Sequence, residues 1–332
     1  MNVRPRPWLG ALGAAYGAVG AARAALHARG ILRTHRLRGP VISVGNLAVG
    51  GRGKTPVAAC VAEWARDDGL PVAILSRGYG GSFAGDALVV SDGGTPGAEA
   101  AVAGDEPVML ARRLPGVVVA VGPRRDVVGR AVEARFGPCV HVLDDGFQHL
   151  RLHRDLDLVC LRAHDLDDVP LPAGALREGA SAAARADALL VWDDPAPSGL
   201  FPDRVFRVRR RLAGFVDRDG SATGAPRRPF LLAGIAHPER LEADVCSLGC
   251  DVAGHAFFAD HHGFSAADVS RVEAEARAAG ADAIVTTEKD LPRLPAVGLP
   301  VLALRIAPAF EDEERLRARV LAVARRVREV RP

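Results

Sequence analysis

The run from Val41 to Thr55 holds the residues whose types and spacing point most directly to chemistry. Val41, Ile42, Ser43 and Val44 form an apolar, β-branched stretch. Gly45, Asn46 and Leu47 lead from it into Ala48, Val49, Gly50, Gly51, Arg52, Gly53, Lys54 and Thr55. Glycines at this density let backbone amides turn inward around phosphate oxygens, and a helix starting behind them adds the positive end of its dipole. In such a loop the Lys54 ammonium reaches the β- and γ-phosphates of a nucleotide, and the Thr55 hydroxyl binds Mg²⁺. Ala48 stands where the strict pattern has glycine, and Gly50, Gly51, Gly53, Lys54 and Thr55 keep the rest of it.

A phosphate loop needs an acidic partner for the metal at the end of a neighbouring strand. Cys139 to Leu143 reads as that strand, and it empties into Asp144, Asp145 and Gly146. Successive side chains of a strand point to opposite faces. One carboxylate is therefore expected to meet Mg²⁺, directly or through water, and the other to orient it or nearby groups. The guanine-reading order Asn-Lys-x-Asp does not fit the nearest run, Thr287-Glu288-Lys289-Asp290, which argues against a GTPase. A transferase needs, in addition, a base to take the proton of an acceptor hydroxyl. Candidates are Asp105, within Gly104-Asp105-Glu106-Pro107, and His261 or His262, close behind Asp260. A histidine paired with a carboxylate can be poised as a base near neutral pH.

These runs belong to a longer ordered series. Gly45-Asn46-Leu47, Gly50 to Thr55, Ser76-Arg77-Gly78-Tyr79-Gly80-Gly81, Gly104 to Pro107 and Asp144 to His149 are followed by Leu176-Arg177-Glu178, Ala233 to Ala236, Phe258 to His262 and Thr286 to Asp290. The series, over roughly residues 40–290, resembles the tetraacyldisaccharide 4'-kinases, the lipid A 4'-kinases of Gram-negative bacteria. The resemblance implies transfer of the γ-phosphate of ATP to the 4'-hydroxyl of a tetraacylated glucosamine disaccharide 1-phosphate. It implies that Asp105 and His261 act as a catalytic pair, that Asp144 and Asp145 serve Mg²⁺–ATP, and that Gln148, His149, Arg177 and Glu178 lie near the active site. It also implies attachment to the cytoplasmic face of the inner membrane, as a peripheral or monotopic protein. The rival is a P-loop ATPase switch, which explains the glycine loop and the Asp144–Asp145 pair equally well. It does not explain the basic, apolar start of the chain or a His-Asp cluster in a second domain.

The elements that must position these residues follow from the apolar pattern. Short β-branched runs alternate with helical stretches at 55–68, 106–114 and 124–136, which means βαβ units: a P-loop-type, mostly parallel sheet with helices on both faces. Residues 37–198 are read as this nucleotide-binding domain. From 199 to 229 proline, glycine and arginine take over, and a linker with a possible hairpin is expected. Residues 230–332 read as a second, smaller α/β domain ending in a helix over 310–330. The active site is then a cleft, with Lys54 from one domain and His261 from the other.

Composition narrows the partners. A net charge of +3 over 332 residues gives no ground for a nucleic-acid ligand. The charge is uneven, however: residues 1–40 carry seven arginines and no acid, and the first acidic residue is Glu63. Trp8, Leu12, Tyr16 and Val19 recur there at helical spacing, so residues 1–36 are expected to form an amphipathic helix on an anionic membrane surface. Its fifteen uncharged residues from Trp8 to Ala22 fall short of a bilayer span. The five cysteines show no metal or disulfide spacing, which fits a reducing cytoplasm. Among 43 basic residues only Lys54 and Lys289 are lysine. In a chain this rich in arginine, both mark positions that call for a compact ammonium.

Overall fold

The computed structural model describes residues 9–192, 202–260 and 262–330. Trp8 and His261, singled out above, lie outside the described residues. Helix α1 (Gly10–Ala28) precedes β1 (Val41–Asn46), α2 (Lys54–Asp67), β2 (Val72–Ser76), β3 (Leu88–Asp92), α3 (Ala100–Ala103) and α4 (Asp105–Arg113). Then come β4 (Val118–Val121), α5 (Arg125–Phe136), β5 (Val140–Asp144), β6 (Leu156–Leu161) and β7 (Ala188–Trp192). Long strand β8 (Val205–Val216) and short β9 (Ala222–Thr223) lead to β10 (Pro229–Ala233), α6 (Pro238–Ser247), β11 (Gly254–Phe257), α7 (Ala266–Ala278), β12 (Ala283–Thr287), β13 (Val301–Phe310) and α8 (Glu313–Ala324).

One hydrogen-bonded sheet takes in all of these strands, in the order β11-β10-β12-β13-β8-β7-β6-β1-β5-β2-β4-β3, with β9 added beside β8. From β2 to β7 its neighbours run parallel, and β3 is an antiparallel edge. The fold class read from the sequence is therefore the one observed. Strand β1 is central and buried along its whole length, as a continuous apolar run in a parallel sheet should be. Its alternate residues serve two cores. Ile42 and Val44 pack with α2, α4 and α8 on one face; Val41 packs with Val128 and Val132 of α5 on the other. Cys60, Cys139 and Cys160 are free thiols, each pushed up to about 12 by burial.

Within the segment expected to be a linker with a possible hairpin, β8 turns back on itself through β9, with Phe215 opposite Thr223. β8 first runs parallel to β7, Val205 to Val208 opposite Leu189 to Trp192. It continues to Val216, antiparallel to β13. At about 3.3 Å per residue its twelve residues span about 40 Å. β8 is parallel to β7 and antiparallel to β13, and β10, β11 and β12 run with β13. The two groups of strands therefore point toward each other, carboxyl ends facing across the gap that β8 and β13 bridge. Strand β13 outruns its expected end at Leu304 by six residues and passes through Pro308. That is tolerated because β12 pairs with β13 only as far as Leu304, leaving the missing N–H of proline on an open side. Helix α8 starts three residues later than expected and lays Leu316, Val320 and Val323 into the core beneath β1.

Candidate active site

The phosphate loop owes its place to strand pairing. β1 and β5 are parallel neighbours with Val44 opposite Asp144, so the glycine loop and the two aspartates leave the sheet at the same edge. Their crossing is close: a Cβ on Gly45 would lie 2.5 Å from Cβ of Phe147 and 2.7 Å from its backbone N, so only glycine fits. Gly53, at φ 68°, sets the turn into α2, and a Cβ there would strike the Trp192 ring at 2.4 Å. The base of the loop is tied down by side chains. The Asn46 amide donates to the Ala48 carbonyl at 2.5 Å, and the Gln148 amide donates to the Asn46 carbonyl at 2.7 Å. Ala48 is fully buried in a cluster with Leu47, Phe147 and Leu176, and Val49 N–H donates to the Ala175 carbonyl at 2.9 Å.

The two aspartates part company, as adjacent residues must. Asp144 is buried, and the Thr55 hydroxyl donates to its carboxylate at 3.2 Å. Burial, reinforced by Glu106 and opposed by Lys54, pushes the Asp144 carboxyl up to about 7. Asp145 has φ 60°, the one positive value at a non-glycine among the described residues; such strain concentrates at functional positions. It turns the carboxylate toward Lys54 Nζ, 3.5 Å away, and Arg177, which donates at 2.8 Å. Those cations hold the Asp145 carboxyl below the usual range against the burial that raises it.

Lys54, Thr55, Asp144, Asp145, Gln148, Arg177 and Glu178 all border one cavity of about 1080 Å³, together with loop residues from Val49 to Gly53. Arg77, Tyr79 and Glu106 join them, and so do Tyr16, Val19 and Arg23 of α1 on one side and Asp260 and Thr287 to Lys289 on another. Gln148 Oε1 and Glu178 Oε1 are buried without a hydrogen-bond partner among the described residues, unusual for polar atoms at such depth. Arg52, expected in the phosphate cradle, spends its guanidinium on buried Asp165, at 2.7 and 2.9 Å. His149 is not on the cavity wall. Burial and the nearby Arg125 guanidinium drive it down to about 4, so it is neutral at pH 7.

Asp105 opens α4 behind Gly104, whose φ of 94° and approach to the Tyr79 carbonyl exclude a side chain. Its carboxylate lies 3.3 Å from Arg293, on the wall of an adjoining cavity of about 1250 Å³ that shares Tyr79 with the first. Lys54 and Asp105 thus flank neighbouring spaces. Residue patterns missed Arg125, buried beside Asp144 and Asp145 and lowered to about 10 by burial. An arginine inside a helix carries no local signal in a chain this rich in arginine.

Comparison with known proteins decides the family. The model for tetraacyldisaccharide-1-P 4'-kinase (LpxK) matches residues 5–325. The chain belongs to that family. A tetraacyldisaccharide 4'-kinase of Geobacter metallireducens is 42% identical over 285 residues, covering 82% of this chain and 83% of the relative. One from Anaeromyxobacter sp. is 42% identical over 344 residues, covering 95% and 90%. The crystal structure of LpxK from Aquifex aeolicus, described as in complex with ATP, superposes with a TM-score of 0.83 at 32% identity, over 96% of this chain and 99% of that one. As a member, this chain is a kinase of lipid A biosynthesis, and the fold class and the choice of a kinase over an ATPase switch stand confirmed.

Proposed function

We propose that this kinase binds Mg²⁺–ATP on the loop from Val49 to Thr55 and transfers the γ-phosphoryl group to the 4'-hydroxyl of a tetraacylated glucosamine disaccharide 1-phosphate. One observation carries the reading. The cavity holding Lys54, Thr55, Asp144 and Asp145 is bordered on one side by Tyr16 and Val19 of α1, so polar phosphate chemistry and an apolar helix face meet in a single space.

The residues present suit a magnesium ion. Thr55 and Asp144 would hold it, since their oxygens already meet at 3.2 Å and burial at the Asp144 carboxyl outweighs the opposing charge of Lys54. Among the described residues no group of three or more His, Cys, Asp or Glu is placed to hold a metal. The remaining ligands then come from phosphate oxygens and water, as is usual for Mg²⁺. When bound, the ion would neutralise charge on the transferring group. Lys54 and the loop amides stabilise the same charge from the loop side, while Arg177 keeps Asp145 and Lys54 in position. Asp105, assisted by His261, takes the hydroxyl proton.

We read residues 37–198 and 230–332 as two domains whose closure brings the space beside Asp105 and the space beside Lys54 into one and expels water, so that the sugar hydroxyl is the preferred acceptor. Helix α1 lies on the cytoplasmic face of the inner membrane and admits the acyl chains. In support, no described helix is long and apolar enough to cross a membrane, while Leu12, Tyr16 and Val19 are 59%, 45% and 70% exposed. Incubation with labelled ATP and the lipid disaccharide phosphate should put label into the lipid; label appearing only as inorganic phosphate would refute the reading.

A further inference from the structure

Lys289 has no part in the scheme above, yet the fold goes to some length to place it. It sits just past the carboxyl end of β12, in the turn Thr287-Glu288-Lys289-Asp290. That end of the strand faces the carboxyl ends of β1 and β5 across the cavity, and crevices outside the carboxyl ends of strands are where α/β sheets bind ligands.

The turn is fixed on both sides of Lys289. Before it, Glu288 accepts from Arg305 at 2.7 Å and from Arg113 at 3.5 Å. Arg113 is itself held by Glu63 at 3.3 Å and the Ile306 carbonyl at 3.2 Å. After it, fully buried Asp290 accepts from the Thr287 hydroxyl at 2.9 Å and from Gly234 N–H at 3.1 Å, and it also pairs with Arg293. Thr287 Oγ1 in turn accepts from Asp290 N–H at 3.1 Å. Glu288 and Asp290 thus anchor the backbone, and the residue between them borders the cavity that contains Lys54, Thr55 and Asp144. Its ammonium lies 4.0 Å from Asp260, another residue of that wall.

The residue type adds to the geometry. Arg113 and Arg293 in the same region make multi-pronged contacts to carboxylates and carbonyls, and Arg305 pairs with Glu288. Lysine is kept in this chain only at Lys289 and at Lys54. A compact ammonium suits a phosphate met as a point charge, whereas a guanidinium suits a planar partner.

We propose that Lys289 is a second phosphate-binding residue of this active site, presented across the cavity from Lys54. The inference rests on the kinase reading given above. The phosphate it meets belongs either to the nucleotide or to the acceptor, whose anomeric phosphate has the same chemistry.

The test uses the full chain with Lys289→Met and Lys289→Arg. Affinity for Mg²⁺ with the β,γ-methylene analogue of ATP is measured by calorimetry, and steady-state kinetics are measured with the lipid disaccharide with and without its 1-phosphate. Lys289→Met should lower kcat/KM by roughly 100-fold, with the thermal midpoint unchanged, and Lys289→Arg should recover only part of it. Weakened analogue binding identifies the nucleotide phosphate. Intact analogue binding, with a loss that disappears on the acceptor lacking its 1-phosphate, identifies the acceptor. Lys289→Met within about twofold of wild type in all of these would overturn the proposal. If the wild-type chain phosphorylates no lipid, the kinase reading falls separately, and unchanged analogue affinity in Lys289→Met would then overturn this one.

Discussion

The pair Asp144 and Asp145 shows how one peptide unit splits two identical side chains into two environments. Asp144 lies at the carboxyl end of interior strand β5 beside Thr55; Asp145, thrown into a left-handed conformation, faces Lys54 and Arg177. A consequence for metal dependence follows from the raised proton affinity of Asp144. A carboxyl with its midpoint near 7 is mostly protonated at pH 6 and mostly ionised at pH 8. Mg²⁺ must displace that proton, so the concentration for half-maximal activity should fall as pH rises from 6 to 8, by roughly tenfold. A Mg²⁺ titration at fixed ATP checks it, and a flat profile would exclude Asp144 as the competing group. Lys54→Ala should keep the fold and lose at least roughly 100-fold in kcat, and Lys54→Arg should fail as well, because the wider guanidinium does not fit beside Asp145 and the loop. Retention of most activity by Lys54→Arg, in the same kinase assay, would count against the reading of lysine as a compact ammonium. Much of this was legible in the sequence, because loop and carboxylates are contiguous motifs. The engagement of Arg52 by Asp165 was not, since the partner lies 113 residues away and only the folded chain brings it there.

At the scale of elements, α1 illustrates how glycines can build an amphipathic surface. Gly13 and Gly17 face the loop at Pro170 to Ala173, where added Cβ atoms would come within 2.8 and 2.9 Å of it. The adjoining stripe, Leu12, Tyr16 and Val19, is left to solvent. Small residues inward and large apolar ones outward invert the usual polarity of a surface helix. Removal of residues 1–30 should therefore weaken binding to anionic vesicles by about tenfold or more, with binding falling as salt rises. Sedimentation with vesicles checks this, and equal binding by truncated and full-length protein would rule out α1 as the contact. Strand β8 was the least legible element. Arg207, Arg209, Arg210 and Arg211 disguise it as a solvated linker, but Phe206, Val208 and Phe215 are buried. Its partner β13 arrives only after 84 intervening residues, a pairing that local pattern cannot reveal.

The whole molecule is a sheet whose two groups of strands aim at each other, which brings candidate groups from distant motifs, such as Lys54 and Asp105, to neighbouring spaces. Asp105 borders one space and Lys54 the next, so their cooperation depends on the relative placement of both halves. Asp105→Ala and His261→Ala should each cut lipid phosphorylation by roughly 100-fold or more while leaving Mg²⁺–ATP affinity nearly intact, and the double variant should be little worse than the poorer single one. Side-by-side kinetics and nucleotide binding decide the matter; additive losses, or losses traced to weaker ATP binding, would assign the pair another role. A different consequence follows from α8, which lends Leu316, Val320, Val323 and Ala324 to the core beneath the phosphate loop. During synthesis the ribosome delivers the phosphate loop early, yet the helix that seals the loop's own half emerges only after every strand of the other half. The nucleotide-binding half cannot mature first and wait. A nascent chain stalled before Glu313 should hold no stable nucleotide site until α8 has emerged.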